Sequence, residues 1–367
     1  MQKEVSIFVF DLNLGGTEKV MVNLANYLSI NNCNVNILMI GSNNYLQKEL
    51  LPAISVISLN KKKISQSFIG LIKYIRLQKI DCFISNVWPL TVLTILAGFC
   101  KRNFNKKVIL VEHCHLEREF SSYGSIFKFF QTISIYFFYR FSKSIIAVSD
   151  GVKEDLCLNK GVDEKKLLVI HNPVDISFNH LVYENQDIKN WMTFSHAKFI
   201  SVGNLKIQKN YPYLLDTLSI LKRQGFLFRH LILGEGSQRE ALTKKIQSLG
   251  LEEDVYLAGQ VDQPINLIKN ADTFTLSTKF EGFGLVIVEA LAAGTTVVST
   301  DCESGPSEIL SNGDYGYLGP INDPRKFSEV IHYAYLNKIS GDKLIERSMD
   351  YSIDRVGPEY LKLINKS

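Results

Sequence analysis

Short runs of aliphatic and β-branched residues alternate with longer stretches of helical period along the whole chain. The runs 5–10, 35–40, 82–85, 108–111, 144–148 and 167–170 predict strands, and 17–29, 67–78 and 150–159 predict helices between them. The pattern restarts with predicted strands at 199–202, 229–233, 255–258, 273–277 and 295–300. Strands that are apolar throughout, with helices between them, predict parallel sheets covered on both faces. Two such series predict an α/β protein of two Rossmann-like, doubly wound domains. These are expected over 1–180 and 190–345, with 346–367 as a C-terminal helical segment crossing back to the first domain. Residues 175–197 are polar without a clear period and read as the linker. Ser237 with Glu240 has capping-box spacing, Gly250 closes that helix, and Pro306 suits the first turn of another.

A length of 367 residues fits about two domains. With 46% hydrophobic and 21% charged residues, disordered and low-complexity classes are excluded. The net charge of +4 is too small for a nucleic-acid binder that works by charge, so no nucleic-acid partner is expected. Its distribution is uneven: residues 1–175 carry 21 Lys+Arg against 14 Asp+Glu, and 176–367 carry 20 against 23. The six cysteines include no Cys-x-x-Cys pair, which argues against a disulfide framework or a zinc site and for a reducing compartment. The apolar run 5–10 is too short for a signal peptide. The stretch 90–100 is too short for a bilayer, and 126–138 is broken by Lys128 and Gln131. A cytoplasmic location is the expectation.

Candidate chemistry gathers at strand ends. Gly15-Gly16-Thr17-Glu18 joins the first strand to a helix, where paired glycines let backbone N–H groups approach an anion; a tight turn alone would also want them. In Ser277–Ala290 a strand, a glycine loop and a helix follow one another. That helix, 285–293, is apolar on every face except at Glu289, so Glu289 is expected to be a buried carboxylate that needs a hydroxyl or a cation. Glu281 sits on the loop above the strand end. Asn204 through Lys209 follow the strand 199–202, and lysines opening a helix make sense beside a diphosphate. Glu112-His113-Cys114-His115 ends another strand; His113 reads as a polar contact to substrate and His115 as an ordinary satisfied histidine. Aromatic residues in 118–143 interleave with Arg118, Lys128, Arg140 and Lys143, which suits an anionic membrane surface, although core packing explains the aromatics equally well. No P-loop, complete dinucleotide fingerprint or Asp-x-Asp is present.

Gly-Gly-Thr-Glu, Asn172-Pro173-Val174-Asp175, 203–209, Gly234-Glu235-Gly236, the Glu281–Glu289 spacing and 304–309 occur in an order that resembles a retaining glycosyltransferase of family 4. The resemblance implies the GT-B fold, two Rossmann-like domains facing an interdomain cleft. It implies a nucleotide-sugar donor, UDP-linked, as substrate, with no cofactor and no metal. The acceptor would be lipid-diphosphate-linked or another glycan, in O-antigen, capsule or lipopolysaccharide assembly at the inner membrane surface. By the same resemblance Glu289 holds the ribose, Glu281 and His113 contact the reacting sugars, and Lys209 binds the diphosphate. Backbone amides of Gly15 and Gly16 and of Gly284, Leu285 and Val286 assist. Asn204 stands where the family often has Arg, leaving Lys209 as the main cation. The alternatives are a GT-B-fold UDP-sugar epimerase and a nicotinamide-dependent oxidoreductase, the latter disfavoured by the failed glycine fingerprints.

Overall fold

The computed structural model describes residues 2–174 and 183–366. It divides into two units, one of 1–175 with 351–367 and one of 176–350. In the first unit, β1 (Lys3–Val9), β2 (Cys33–Met39), β3 (Ser55–Ser58), β4 (Cys82–Asn86), β5 (Val108–Glu112), β6 (Ser144–Ala147) and β7 (Leu167–Val169) form one sheet. Its order is β3-β2-β1-β4-β5-β6-β7, and every pairing is parallel. All residues of β4 and β5 are buried, as strands covered on both faces should be. The helix Ile353–Asn365 belongs to this unit and packs on the helix Gly16–Ile30. It is anchored by Lys143, whose ammonium donates to the Leu363 carbonyl at 2.6 Å.

The second unit repeats the plan. Strands β8 (Ala197–Val202), β9 (Phe228–Leu233), β10 (Val255–Gly259), β11 (Thr273–Leu276), β12 (Thr296–Thr300) and β13 (Tyr317–Gly319) give a parallel sheet in the order β10-β9-β8-β11-β12-β13. On one side, Phe199, Leu214, Leu218, Phe228, Phe327 and Ile331 form part of a continuous buried core. In both sheets the earliest strand lies inside and the chain winds outward in both directions. The order therefore reverses between β1 and β4 and between β8 and β11. Such switch points leave a crevice at the carboxyl ends of the strands, where ligands of open α/β sheets bind.

Three sequence expectations change. The edge strands β3 and β13 are absent from the predicted series, because short, partly exposed edges lack the continuous apolar run of interior strands. Of the stretch read as linker, 175–182 lie outside the described residues, but 183–197 is structured. There, Asn185 caps the helix Gln186–Met192 by accepting from the Asp187 and Ile188 amides. Trp191 from that helix is fully buried, and its indole N–H donates to the Phe199 carbonyl at 3.0 Å. A helix of seven residues, about two turns, with two buried anchors is too short to show a period. Finally, the capping box at Ser237 does not form: the helix starts at Arg239, with Gln238 at its N-cap and no side-chain cap. Among the described residues no helix is long and apolar enough to cross a membrane.

Trp191→Ala should destabilise the second unit by about 3–5 kcal/mol through the cavity it leaves, measured by urea unfolding. A loss below about 1 kcal/mol would mean that this segment is a tether and not part of the core.

Candidate functional site

At the β8/β11 switch point two loops meet. The loop after β8 runs through the exposed Asn204 and Lys206 to a turn of 3-10 helix, Ile207–Lys209, then through a left-handed Asn210 into the helix Tyr211–Arg223. The loop after β11 carries Glu281. Hydrogen bonds lace the two together: the Lys279 amide donates to the Gln208 carbonyl and the Gln208 amide side chain to the Phe280 carbonyl, both at 2.9 Å. Ser277 Oγ donates to the Lys209 carbonyl at 2.8 Å. The outcome is an ion pair, Lys209 Nζ to Glu281 Oε1 at 2.6 Å, with side chains only 15% and 8% exposed. Ser304, on the loop after β12, donates its hydroxyl to the Glu281 carbonyl and fixes that backbone from the other side. Cys302 lies close by; burial, reinforced by Glu281 and opposed by Lys209, pushes its thiol up to about 12.

Gly234 explains why a Gly-x-Gly occurs without a dinucleotide site. It has φ +143°, and a Cβ there would lie 2.1 Å from the Gly203 carbonyl oxygen, so glycine lets the loops after β8 and β9 touch.

Gly284, left-handed at φ +104°, starts the helix Leu285–Ala292. The expectation of burial at Glu289 is corrected: Glu289 is partly exposed, as are Leu285 and Val286, while Ile287, Val288, Ala290 and Leu291 are buried. At 100° per residue, positions 285, 286 and 289 share one face. The helix thus turns its single carboxylate and its first-turn residues to the same, partly open side.

The other predicted residues lie in the first unit. Gly16 begins its helix with Gly15 as an extended N-cap, at the end of the loop after β1. The Glu18 carboxylate folds over Gly15, so near that a Cβ would meet its oxygen at 2.1 Å. This local acid already faces the positive helix end, which is the turn-forming reading of the glycine pair. His113 follows β5 and is 9% exposed; its Nε2 lies 3.2 Å from Asn86 Oδ1 at the end of β4. His115 takes a different partner, with Nδ1 3.6 Å from the Asp155 carboxylate. Among the described residues no three His, Cys, Asp or Glu side chains gather as a metal-binding group.

Sequence reasoning missed Asn86 and Glu112, each a polar residue at the carboxyl end of a buried strand, which is the signal that could have marked them. Glu112 is fully buried and accepts from the Tyr139 hydroxyl, from the Trp88 amide at 3.2 Å and from Thr91 Oγ1 at 3.3 Å. Burial nevertheless raises its carboxyl to about 7, and burial lowers the His113 imidazole to about 4.

Two Rossmann-like units with polar residues collected at their switch points define the GT-B class of sugar transferases. The chain superposes on the crystal structure of Anabaena HepE in complex with UDP with a TM-score of 0.79, covering all of both chains at 16% identity. The family model "Glycosyltransferase Family 4" matches residues 14–178, and "Glycosyl transferases group 1" matches 193–350. The chain belongs to this family of retaining glycosyltransferases. It is 28% identical over 365 residues to the Campylobacter jejuni N-acetylgalactosamine-N,N'-diacetylbacillosaminyl-diphospho-undecaprenol 4-alpha-N-acetylgalactosaminyltransferase, covering 92% of this chain and 94% of that one. It is 31% identical over 193 residues to the Escherichia coli lipopolysaccharide 1,6-galactosyltransferase, covering 51% of each.

The two shifted neighbours make opposite contributions to stability. Between the ordinary 4.5 and about 7, folded Glu112 holds a proton that the unfolded chain has lost, so its contribution falls as pH rises. Between about 4 and the ordinary 6.5, unfolded His113 holds the extra proton, so its contribution rises with pH. Glu112→Gln should therefore raise the melting temperature at pH 7 relative to that at pH 5, compared with wild type, and His113→Gln should lower it. Scanning calorimetry at the two pH values checks this; shifts of the same sign would contradict the assignment.

Proposed function

We propose that the chain moves a hexose or N-acetylhexosamine from a UDP-linked donor to a lipid-diphosphate-linked glycan in bacterial surface-polysaccharide assembly: O-antigen, capsule or lipopolysaccharide. The observation that carries this reading is the Lys209–Glu281 pair at the β8/β11 switch point. A lysine there neutralises a diphosphate, and its carboxylate partner, once released from it, faces the hydroxyls of the donor sugar. Glu289, on the open face of its helix, takes the ribose diol. The first amides of the helix Leu285–Ala292 add N–H donors for the phosphates. With Asn204 where the family resemblance would often place Arg, Lys209 is the principal cation. Support for the nucleotide comes from HepE, whose structure contains UDP. Support for the acceptor comes from the Campylobacter relative, whose name specifies a diphospho-undecaprenol-linked sugar.

In the reaction the bond from the anomeric carbon to the β-phosphate oxygen breaks, and the acceptor oxygen bonds to the same face of that carbon. The acceptor proton passes to the departing phosphate oxygen. Negative charge grows on the phosphate, where Lys209 and the helix amides stabilise it, and positive charge grows on the sugar ring, where Glu281 does so.

A membrane-bound acceptor fits the helix Ser125–Phe138. Its Ile126, Phe129, Phe130, Ile133 and Phe137 recur at i, i+3, i+4, i+7 and i+11 and are all exposed, Phe130 by 65%, whereas Gln131 and Ile135 on the opposite side are buried. Arg140 stacks over Tyr136 and Phe137 at the end of this stripe. An apolar stripe ending in a cation on the more basic half of the chain suits peripheral binding to an anionic leaflet.

Glu281→Gln and Lys209→Met should each lower kcat/KM by about 100- to 1,000-fold in an assay with UDP-hexoses and an undecaprenyl-diphosphate-linked sugar. Wild-type activity in both, or no transfer and no UDP binding by the native chain, would defeat the reading; a new UDP-sugar epimer without a lengthened acceptor would make it an epimerase. Separately, Phe129→Ser with Phe130→Ser should weaken partitioning onto phosphatidylglycerol vesicles at least about 10-fold. Unchanged partitioning, followed by sedimentation, would remove the membrane from the proposal.

A further inference from the structure

We infer that Ser304 is a positioning residue, whose hydroxyl holds the backbone of Glu281 so that its carboxylate stays aimed when Lys209 turns to the diphosphate. The inference rests on the reading above that Glu281 stabilises the reacting sugar, and it names a residue outside the ion pair on which that role depends.

Ser304 sits in a conformation that its side chain disfavours. Its φ is +56°, in the left-handed region that glycine enters freely and a residue with a Cβ does not. Gly305 follows at φ +88°, where a Cβ would lie 2.1 Å from the Phe283 carbonyl oxygen, so the loop after β12 runs hard against the loop after β11. Backbone geometry would favour glycine at 304 as well. What serine adds is its hydroxyl, and that hydroxyl donates to the Glu281 carbonyl.

The neighbouring contacts show what this bond controls. Phe280 is held several ways: it forms a parallel bridge with Glu303, and its carbonyl accepts from Gln208 Nε2 and from Thr278 Oγ1, each at 2.9 Å. One residue on, the Glu281 carbonyl accepts from Ser304. The chain then turns at the left-handed Gly284 into the helix Leu285–Ala292. The peptide before the Glu281 Cα is thus fixed by the loops after β8 and β11, and the peptide after it by Ser304. With both held, the side chain springs from a fixed origin. Lys209 cannot supply this, because an ammonium on a flexible four-carbon stem follows the carboxylate wherever it moves. In the proposed reaction that ammonium also leaves for the diphosphate. The Ser304 bond is to backbone and persists when the ion pair opens.

Ser304→Ala and Ser304→Gly in the full chain, assayed for transfer from UDP-hexoses to the undecaprenyl-diphosphate-linked sugar, test this. Both lose the hydroxyl, but alanine keeps the disfavoured backbone and glycine relieves it. Each should lower kcat about 5- to 10-fold, while the Kd for UDP, measured by calorimetry, stays within about 2-fold of wild type because Lys209 and Glu289 are untouched. The glycine variant should melt about 2–4 °C above the alanine variant. In a Glu281→Gln background, where no carboxylate is left to aim, Ser304→Gly should cost less than about 2-fold more. Wild-type kcat in both single variants overturns the inference, as does a loss that follows melting temperature, which would make Ser304 merely structural. A loss as large in Glu281→Gln as in wild type places its effect elsewhere and overturns it too. Because glycine suits the backbone at 304, Ser304→Gly keeps the test decisive even where Ser304→Ala does not fold. Full activity in Glu281→Gln alone would defeat the reading beneath the inference, so the two failures are told apart.

Discussion

A lysine and a glutamate separated by 72 positions in sequence are held 2.6 Å apart in a largely dry corner between two strand ends. Neither charge is tolerable there alone: the effective penalty for a buried ion is several kcal/mol, and removing one partner leaves the other exposed to it. The arrangement of the second unit follows from satisfying both. The loops after β8 and β11 bond to each other through Gln208, Ser277 and Lys279, and Ser304 adds the loop after β12. A diphosphate that engaged Lys209 would take over the role of counter-ion, and Glu281 would then need a new partner. In the proposed reaction sugar hydroxyls would supply one, so that binding exchanges partners between charges that are already desolvated and reduces the cost of preparing them.

The first unit meets its strand ends differently. After β1 the buried Asp11 accepts from the backbone and side-chain amides of Asn13, and after β4 and at the end of β5 stand an amide, an imidazole lowered by burial and a carboxylate that burial pushes toward the protonated form. Glu112 and His113 are consecutive, yet they do not pair as ions. Glu112 turns to the Trp88 amide, Thr91 and Tyr139, and His113 turns to Asn86. Two successive residues of one strand end thereby grip the last residue of β4 and the loop that follows it, which places His113 without relying on charge.

Much of the fold was legible in the sequence because interior parallel strands are buried on both faces and so favour apolar and β-branched residues, and β4, β5, β11 and β12 are buried throughout. Edges obey no such rule, so β3 and β13 left no mark. Trp191 left little, since a helix of about two turns has no measurable period. The site was legible as separate motifs, Asn204–Lys209 and Glu281–Glu289, but not as a contact, because nothing in the linear order says that Lys209 turns back over Gly203 to reach Glu281. Glu289 shows the opposite error: counting apolar neighbours along a helix implied burial, whereas the open side of the first turn is set by what packs around it. Asn86 could be recognised only once β4 and His113 were adjacent in space.

The contrast between the two units has a chemical logic in the proposed reaction. Positive charge develops on the sugar ring as the phosphate departs, so a protonated histidine beside that ring would oppose the transition state. A site exposed to water would leave an imidazole near its ordinary pKa of 6.5, partly charged at physiological pH. Burial beside Asn86 lowers the His113 imidazole to about 4 and so removes that possibility. In the proposed reaction the carboxylate that stabilises the ring is Glu281, which Lys209 holds at 2.6 Å until the diphosphate takes the lysine, so the second unit keeps both signs of charge ready at the bond being broken.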